Sequence, residues 1–461
     1  MRNGLGSFWL HDAPDPCSPR PRLEDDLEAD VVIVGGGFTG LWTAYWLKRH
    51  DPALDVVVLE QDRVGYGASG RNGGWLSGKT VAQSRKLVDG TPGRTREDAL
   101  RMERACFRAV DEVLALTDEA GLDIDAHRGG WLMVARTEAE AARLRHKAEA
   151  DHAWGLTEDE VRLLTAEETR DRIDLPGLTG GYSSPFAARV QPARLAYAAA
   201  ALAEGLGVRI FENTRVESCG RGRAEARTGS VRSGTVVLAT EGYTADLPGR
   251  HRQLLPMFSS MLVTRPLPPE AWERIGWADA ECVSAASHLY FYMQRTADDR
   301  IAIGGPGKVY EWRSGTGGQG TLGPRSVRAV QAMIRELFPR ENLAFEHVWT
   351  GVMGVPRDWA PFIDVDPSGK FVQVGGYVGQ GVAASYVAGR SVADILTGRD
   401  SELVDSLWVR RRPRSWEPEP LRLIGTGTVE LLSHLADRDE RRRGGNRTSV
   451  FADLAGRIGG H

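Results

Sequence analysis

Residues 30–60 constrain the fold more than any other part of the chain. Val31, Val32, Ile33 and Val34 form a β-branched apolar run, the composition of a strand buried on both faces of a parallel sheet. Gly35, Gly37 and Gly40 follow in G-x-G-x-x-G spacing, with Phe38 and Thr39 between the last two. The first glycine lets the chain turn sharply, the second lets backbone N–H groups approach a pyrophosphate, and the third lets helix pack close to strand. The helix beginning there points its unpaired N–H groups and positive dipole end at the same place. Leu41, Ala44, Tyr45 and Leu47 give it an apolar face. Val56, Val57, Val58 and Leu59 make a second buried strand, and Glu60 stands at its carboxyl end, ~20 residues on, where an acid hydrogen-bonds ribose hydroxyls. In a chain with 54 glycines the triplet alone would mean little. The ordered set of strand, glycines, helix, strand and acid predicts a Rossmann-like nucleotide-binding unit.

A length of 461 residues with 41% hydrophobic content provides for a large core and about two or three domains. The net charge of -4 argues against a nucleic-acid binder held by phosphate contacts. Cys17, Cys106, Cys219 and Cys282 are scattered with no C-x-x-C pair, which suggests reduced thiols of a cytoplasmic protein and neither a disulfide framework nor a metal site. Charges and prolines break residues 1–20, so they do not read as a signal peptide. No apolar run approaches the ~20 residues of a membrane span. The nearest, residues 194–206, is interrupted by Arg194 and Glu204.

Residues 1–27 read as a polar, proline-rich lead-in laid over the surface. After Glu60, Gln61 and Arg63 open a loop, residues 63–78, whose six glycines include Gly67, Gly73 and Gly74. With Ala68, Ser69, Arg71 and Asn72 it can wrap a flat ligand with N–H groups turned inward, and Trp75 and Leu76 count against a plain surface loop. Residues 94–125 are helical by apolar spacing, 129–134 a strand, and charged amphipathic helices run to about 172. This departure from the nucleotide-binding pattern suggests an inserted second domain. The first resumes near Gln191, with a helix over 193–204, a strand over 208–211, and a strand over 231–238 that ends in Ala239 and Thr240. Ligands of open α/β sheets collect at such carboxyl edges. Strands over 261–264, 289–294 and 300–304 and a helix over 325–338 belong to the second domain. A strand over 371–375 then meets Gly376, Gly379, Gln380, Gly381 and Val382, a second glycine-lined helix start. Residues 401–461 form an Arg-rich appendix with a helix over 429–436, and Arg441, Arg442 and Arg443 read as a solvated tail. The expected partition is a discontinuous nucleotide domain of residues 28–93, 185–250 and 345–400, and a substrate domain of 94–184 and 251–344.

The fingerprint, the ASGRNGG run of residues 68–74, the Ala239–Thr240 strand end and the late GYVGQG loop of residues 376–381 together resemble the D-amino-acid oxidase (DAO) family of FAD-dependent oxidoreductases. The SGRNGG form is most similar to the branch of gamma-glutamylputrescine oxidoreductase and other amine oxidases, and the likeness covers about residues 28–400. It implies an α/β fold, a Rossmann-like FAD-binding domain with an inserted α+β substrate domain of the glutathione-reductase-like, DAO type. It also implies an extended FAD. Gly35–Gly40 would take the pyrophosphate, Glu60 the adenosine ribose, and Arg63 would lie near the adenosine. Residues 68–76 would run on to the flavin, Val216 would present its backbone to adenine, and residues 379–382 would meet the pyrimidine edge. The implied chemistry is oxidation of a C–N bond, with hydride passing to flavin N5 and the imine hydrolysed.

Three departures from relatives shape the expectation. Ala383 stands where sarcosine-oxidase-like relatives place a lysine for a substrate carboxylate, which tells against a carboxylate close to the reacting carbon. Ala302 stands where they place an oxygen-activating lysine, which tells against oxygen as the natural acceptor and leaves oxygen or another electron carrier open. The cysteine or histidine used for covalent attachment is missing, which implies non-covalent FAD. Candidate substrate contacts are Trp75, Tyr290, Tyr292, Arg295, His347 and Trp349. Tyr290 and Tyr292 share a strand face and suit either sheet packing or an amine cage. Arg295 could bind a remote carboxylate or pair with Asp298 or Asp299. Two other readings stay open: a nicotinamide-dependent flavoprotein monooxygenase or reductase, and a flavin-binding subunit of a heteromeric dehydrogenase.

Overall fold

The computed structural model describes the chain apart from Pro14, Thr80, Pro306 and His461 and the side chains of residues 81–83. Two large sheets organise it. In the first, strands Phe371–Gly375, Gly229–Leu238, Leu27–Val34, Val56–Leu59 and Arg209–Phe211 lie parallel in that order. Val31, Ile33, Val56 and Val58 face helices Phe38–His50, Pro192–Gly205 and Gly381–Thr397, while Val32, Val34, Val57 and Leu59 face the opposite core. Burial on both faces is why these strands are unbroken apolar runs. The helices that follow the two glycine motifs cross at Gly389, where a Cβ would lie 2.7 Å from the Thr43 nitrogen. Only glycine permits that approach, so the start of each helix is held beside the other.

The second sheet runs Arg2–Asn3, Phe345–Val355, Leu255–Thr264, Ile301–Gly305, Tyr292–Arg295, Cys282–Ala285, Trp131–Ala135, Gly180–Ser184 and Arg162–Leu164. Its alternate residues divide cleanly, as a period of two requires. Leu132, Val283, Met293, Ile303 and Leu262 pack under helix Pro324–Leu337. Trp349, Met261, Ala302 and Tyr292 pack toward the nucleotide-binding side.

Three sequence expectations are corrected. The lead-in is not a surface strap: Ser7 caps helix Phe8–Asp12, which buries Phe8, Trp9 and Leu10, and Arg2–Asn3 joins the sheet edge. An apolar triplet overrode the polar composition around it. The strand expected over 289–294 contracts to Tyr292–Arg295, so Tyr290 lies outside it. The N–H groups of His288 and Leu289 donate to Asp437, both at 2.9 Å, and are therefore unavailable to a neighbouring strand. The appendix helix spans Leu421–Arg443 and is docked, although Arg441, Arg442 and Arg443 are exposed. Glu440 accepts from Arg143, His288 and the Ser449 N–H. His288, Asp437 and Glu440 bring metal-ligating atoms within 4.8 Å of one another, but these donors already satisfy the acids, and the trio acts as a strut.

Candidate active site

The two glycine motifs converge at the carboxyl edge of the parallel sheet. Gly35 has φ +113°, and a Cβ there would stand 2.6 Å from the Ala239 carbonyl; at Gly40 it would stand 2.0 Å from the Gly35 carbonyl. Helix Phe38–His50 starts at Gly37 and helix Gly381–Thr397 at Gln380, and neither has a side-chain cap. Apart from the Phe38 N–H, their first-turn N–H groups are left for an anion or a polar ring edge. The Ser69 hydroxyl accepts from the Phe38 N–H at 2.9 Å, joining the fingerprint to the glycine loop. Thr39 and Tyr377 share a hydrogen bond of 3.1 Å, joining it to the late motif.

Glu60 accepts from the N–H groups of Gly36 at 2.7 Å and Asp62 at 2.9 Å. Burial nevertheless pushes its carboxyl up to about 7. The Glu60 carbonyl accepts from Thr214 at 2.8 Å, which draws the segment leading into Val216 to the same end of the cradle. Arg63 and Arg71 each carry a buried guanidinium nitrogen without a partner, Nε and Nη2 respectively. Arg71 otherwise donates to the carbonyls of Tyr66 and Thr350 and lies 4.3 Å over the Tyr66 ring. Gln61 is exposed, and Gly379 lies at the surface of its loop.

The loop of residues 67–76 is held by many partners. Asn72 donates to the Ala68 and Ser69 carbonyls and accepts from the Gly74 N–H. Trp9 donates to the Asn72 carbonyl, and the buried Gln294 amide donates to the Gly73 carbonyl at 2.8 Å. A Cβ on Gly74 would stand 1.9 Å from that amide, and one on Gly67 would stand 3.2 Å from the Tyr243 ring. Leu76 is enclosed in the core beneath.

Glu241 is the residue that motif reasoning missed. Its backbone has φ +46°, and its enclosed carboxylate accepts from Gly376 at 2.6 Å, Gly354 at 2.7 Å and Tyr377 at 3.4 Å. One side chain therefore ties the Ala239–Thr240 edge to strand Phe345–Val355 and to the late glycine loop. Burial raises its pKa, and those three bonds oppose the rise. A single acidic residue after a strand carries no local signature, so only the fold could expose it.

Across from this cradle lies one face of the nine-stranded sheet. Tyr292 donates or accepts at 2.6 Å with the Ser259 hydroxyl, and its ring meets Trp75 edge-on with centroids 6.2 Å apart. Gly73 and Gly304 make room for that ring: a Cβ on either would stand 2.5 Å or 2.0 Å from it. Tyr290 lies 6.2 Å from Tyr292 and is 54% exposed. The other three candidates are held by partners within the protein. Trp349 is fully buried and donates to the Arg71 carbonyl at 2.9 Å. His347 is buried, bonded to the Gly4 carbonyl at 3.0 Å, and burial lowers its pKa. Arg295 is occupied by Asp299 at 2.8 Å and lies 4.1 Å over the Trp272 ring. The polar groups of all three are thus engaged within the protein.

A dinucleotide cradle on a parallel sheet, facing an aromatic-bearing second sheet, defines a two-layer nucleotide-dependent oxidoreductase. The family model described as FAD dependent oxidoreductase (DAO) matches residues 30–395, and the chain belongs to that family. The glycine-lined cradle, the uncapped helix starts and the unpartnered Arg63 and Arg71 nitrogens fit FAD. The chain is 28% identical over 414 residues to the gamma-glutamylputrescine oxidoreductase of Escherichia coli K12, covering 88% of this chain and 92% of that protein. It is 25% identical to the sarcosine oxidase subunit beta of Rhodobacter capsulatus, covering 86% of this chain and 90% of that one. Glycine oxidase from Geobacillus kaustophilus superposes with a TM-score of 0.66 at 21% identity, covering 81% and 96% of the two chains, and shows the fold. Among the described residues no helix is long and apolar enough to cross a membrane.

Proposed function

We propose that the protein oxidises a C–N bond of a small amine or amino acid, bound between the FAD cradle and the face that carries Tyr292. Bound FAD supplies the hydride acceptor. Gly35, Gly37, Phe38, Thr39 and Gly40 bind the pyrophosphate through the helix start, Glu60 holds the ribose, and residues 67–76 follow the cofactor to its ring. Gly376, Gly379, Gln380, Gly381 and Val382 close on the far end. Trp75 and Tyr292 form the wall against which the amine is positioned and from which water is excluded. Tyr290, at the exposed rim, belongs to the entrance. The discontinuous residues 28–93, 185–250 and 345–400 form the FAD domain in this reading, and 94–184 with 251–344 the substrate domain.

The observation that carries the proposal is the pair of glycines, Gly73 and Gly304, that clear space for the Tyr292 ring directly beside Trp75 in the loop that leaves the cradle. The names of the relatives support amines and amino acids as the substrate class, and FAD is held non-covalently. Oxygen or another carrier accepts the electrons. A role as the flavin subunit of a larger assembly is the second reading, favoured by the resemblance to a sarcosine oxidase beta subunit. Anaerobic bleaching of the yellow protein by a panel of polyamines, N-alkylglycines and amino acids tests the first. Bleaching by a nicotinamide and by no amine would sink it, and re-oxidation in air against a dye identifies the acceptor.

A further inference from the structure

More than half of the large apolar side chains exposed among the described residues lie between Leu421 and Ile458. On helix Leu421–Arg443, Leu421 and Leu423 are exposed at its start, and Ile424 and Leu431 are each 59% exposed. A second helix, Val450–Gly459, exposes Val450, Leu454 and Ile458. Scattered exposed leucines are ordinary, but a contiguous set marks a surface that meets something other than water.

Both helices are docked, so these side chains are not the inner face of a loose tail. Arg422 donates to the His251 carbonyl at 2.9 Å, and Asp437 and Glu440 hold the His288 N–H and the Arg143 guanidinium. The Gly459 carbonyl accepts from Arg357 and Trp359, both at 3.0 Å. Glu440 also accepts from the Ser449 N–H at 2.9 Å, which closes the two helices into a hairpin laid on the body. Ile424, Leu431, Arg438 and Arg442 recur at whole-turn spacing and form one line, opposite the buried Leu432, Ala436 and Glu440. Val450, Leu454 and Ile458 form another, opposite the buried Ala455 and Gly459. Each line therefore faces away from the body.

The outward side is basic. Arg438, Arg441, Arg442, Arg447 and Arg457 are exposed, and among the described residues none has an ion-pair partner. Asp437, Asp439 and Glu440 are engaged inside the protein, Asp439 by Arg443 at 2.9 Å, and Glu430 is half-buried. Asp453 is the exposed acid that remains on the hairpin. Trp312, 49% exposed, adjoins the start of the first helix, because the Arg313 N–H donates to Glu419 at 3.0 Å. Lines of leucine and isoleucine bordered by arginines, with a tryptophan at one margin, are the composition of helices that lie in a lipid interface.

We infer that this hairpin docks the protein on the surface of an anionic lipid bilayer, lying in the interface rather than crossing it. The apolar side chains of the two lines enter the acyl boundary, and the unpaired arginines meet lipid phosphates. The line from Ile424 to Arg442 is ~27 Å long, which suits a flat surface. A second copy docked symmetrically would set these arginines against their own images, since a two-fold interface pairs a patch with itself. Tyr290, at the rim of the proposed substrate site, follows His288 and Leu289, whose N–H groups donate to Asp437 of the hairpin. The docked face thus adjoins that rim.

Co-sedimentation of the FAD-loaded full chain with vesicles tests the docking. Vesicles of phosphatidylcholine containing phosphatidylglycerol bind it, those of phosphatidylcholine alone at least about 10-fold more weakly, and raising salt from about 0.05 M to about 0.5 M releases it. Leu431→Ser and Leu454→Ser each weaken binding about 3- to 10-fold. Arg438→Gln combined with Arg442→Gln weakens it about 10- to 30-fold, on the anionic vesicles only. All keep the parent's FAD content and melting temperature, because they lie on the outer face. In the parent protein, brominated lipid in anionic vesicles quenches tryptophan emission, a readout that depends on no variant, and Trp312→Phe removes part of it. No binding to anionic vesicles, no quenching, equal binding to both kinds of vesicle, or binding indifferent to the two leucines overturns the docking. A dimer that forms without lipid and is dissociated by Leu431→Ser and Leu454→Ser assigns the face to a second copy and overturns it too.

Discussion

The hydroxyls of Thr39 and Tyr377 meet at 3.1 Å across 338 residues of chain. Thr39 sits in the first turn of the amino-terminal glycine helix, and Tyr377 in the turn before the last one. Their bond closes the two glycine motifs on one another, which neither could do alone. Both residues are buried, so the bond has no competing water. Tyr377→Phe leaves the Thr39 hydroxyl without that partner and should cost about 1–2 kcal/mol in urea unfolding. Faster FAD release at unchanged spectrum would accompany it, read by fluorescence on dilution.

Glu241→Ala should be more severe. Three N–H groups lose their acceptor at once, and the loss should reach about 2–4 kcal/mol of stability, with FAD affinity lowered at least about 10-fold. Gly354→Ala keeps the carboxylate but displaces it, since its Cβ would stand 2.6 Å from a Glu241 oxygen. Fluorescence titration of apoprotein with FAD checks both; affinity within 2-fold of the parent in each would show that the clamp does not serve the cofactor.

Glu60 predicts two opposite pH effects. Its folded-state pKa of about 7 lies above its ordinary value of 4.5, so the apoprotein gains stability from it below about 4.5 and loses that contribution as pH rises through about 7. The ionised form is the stronger acceptor for ribose hydroxyls, so FAD affinity should instead fall as pH drops through about 7. Glu60→Gln should flatten both profiles, measured by thermal melting of apoprotein and by FAD titration between about pH 5 and 8.

Gly304→Ala tests the space made for Tyr292. A Cβ 2.0 Å from the phenol carbon must push the ring, costing about 1–3 kcal/mol of stability. Amine-driven flavin reduction should slow, while FAD content stays at the parent level, read by anaerobic stopped flow and absorbance. Tyr292→Phe keeps the ring and removes the bond to Ser259, so it should retain most of the reduction rate.

Local chemistry made the cofactor end legible. The apolar strands, the spaced glycines and Glu60 lie within thirty-odd contiguous residues, and each imposes its own backbone requirement. Periodicity placed helix Pro324–Leu337 and strands Val56–Leu59 and Phe371–Gly375 nearly to the residue, while strand Leu27–Val34 begins four residues before the apolar run that signals it. The candidates farther along the chain were less legible because they depended on which face of a sheet they took. His347 and Trp349 belong to the correct strand, yet their polar atoms are consumed by Gly4 and Arg71. Arg295 has the right chemistry and a nearer acid.

Residue types and their spacing determined, without any coordinates, that this chain folds around a dinucleotide on a parallel sheet. Glycine positions and apolar runs act over a few residues, where covalent connection already fixes the neighbours. The tertiary structure alone decided what lies opposite: Glu241 bridging three segments, and Tyr292 set between Gly73 and Gly304. Those arrangements depend on strand register and sheet order between residues hundreds of positions apart, and no local pattern encodes which of many cations, acids and rings will meet.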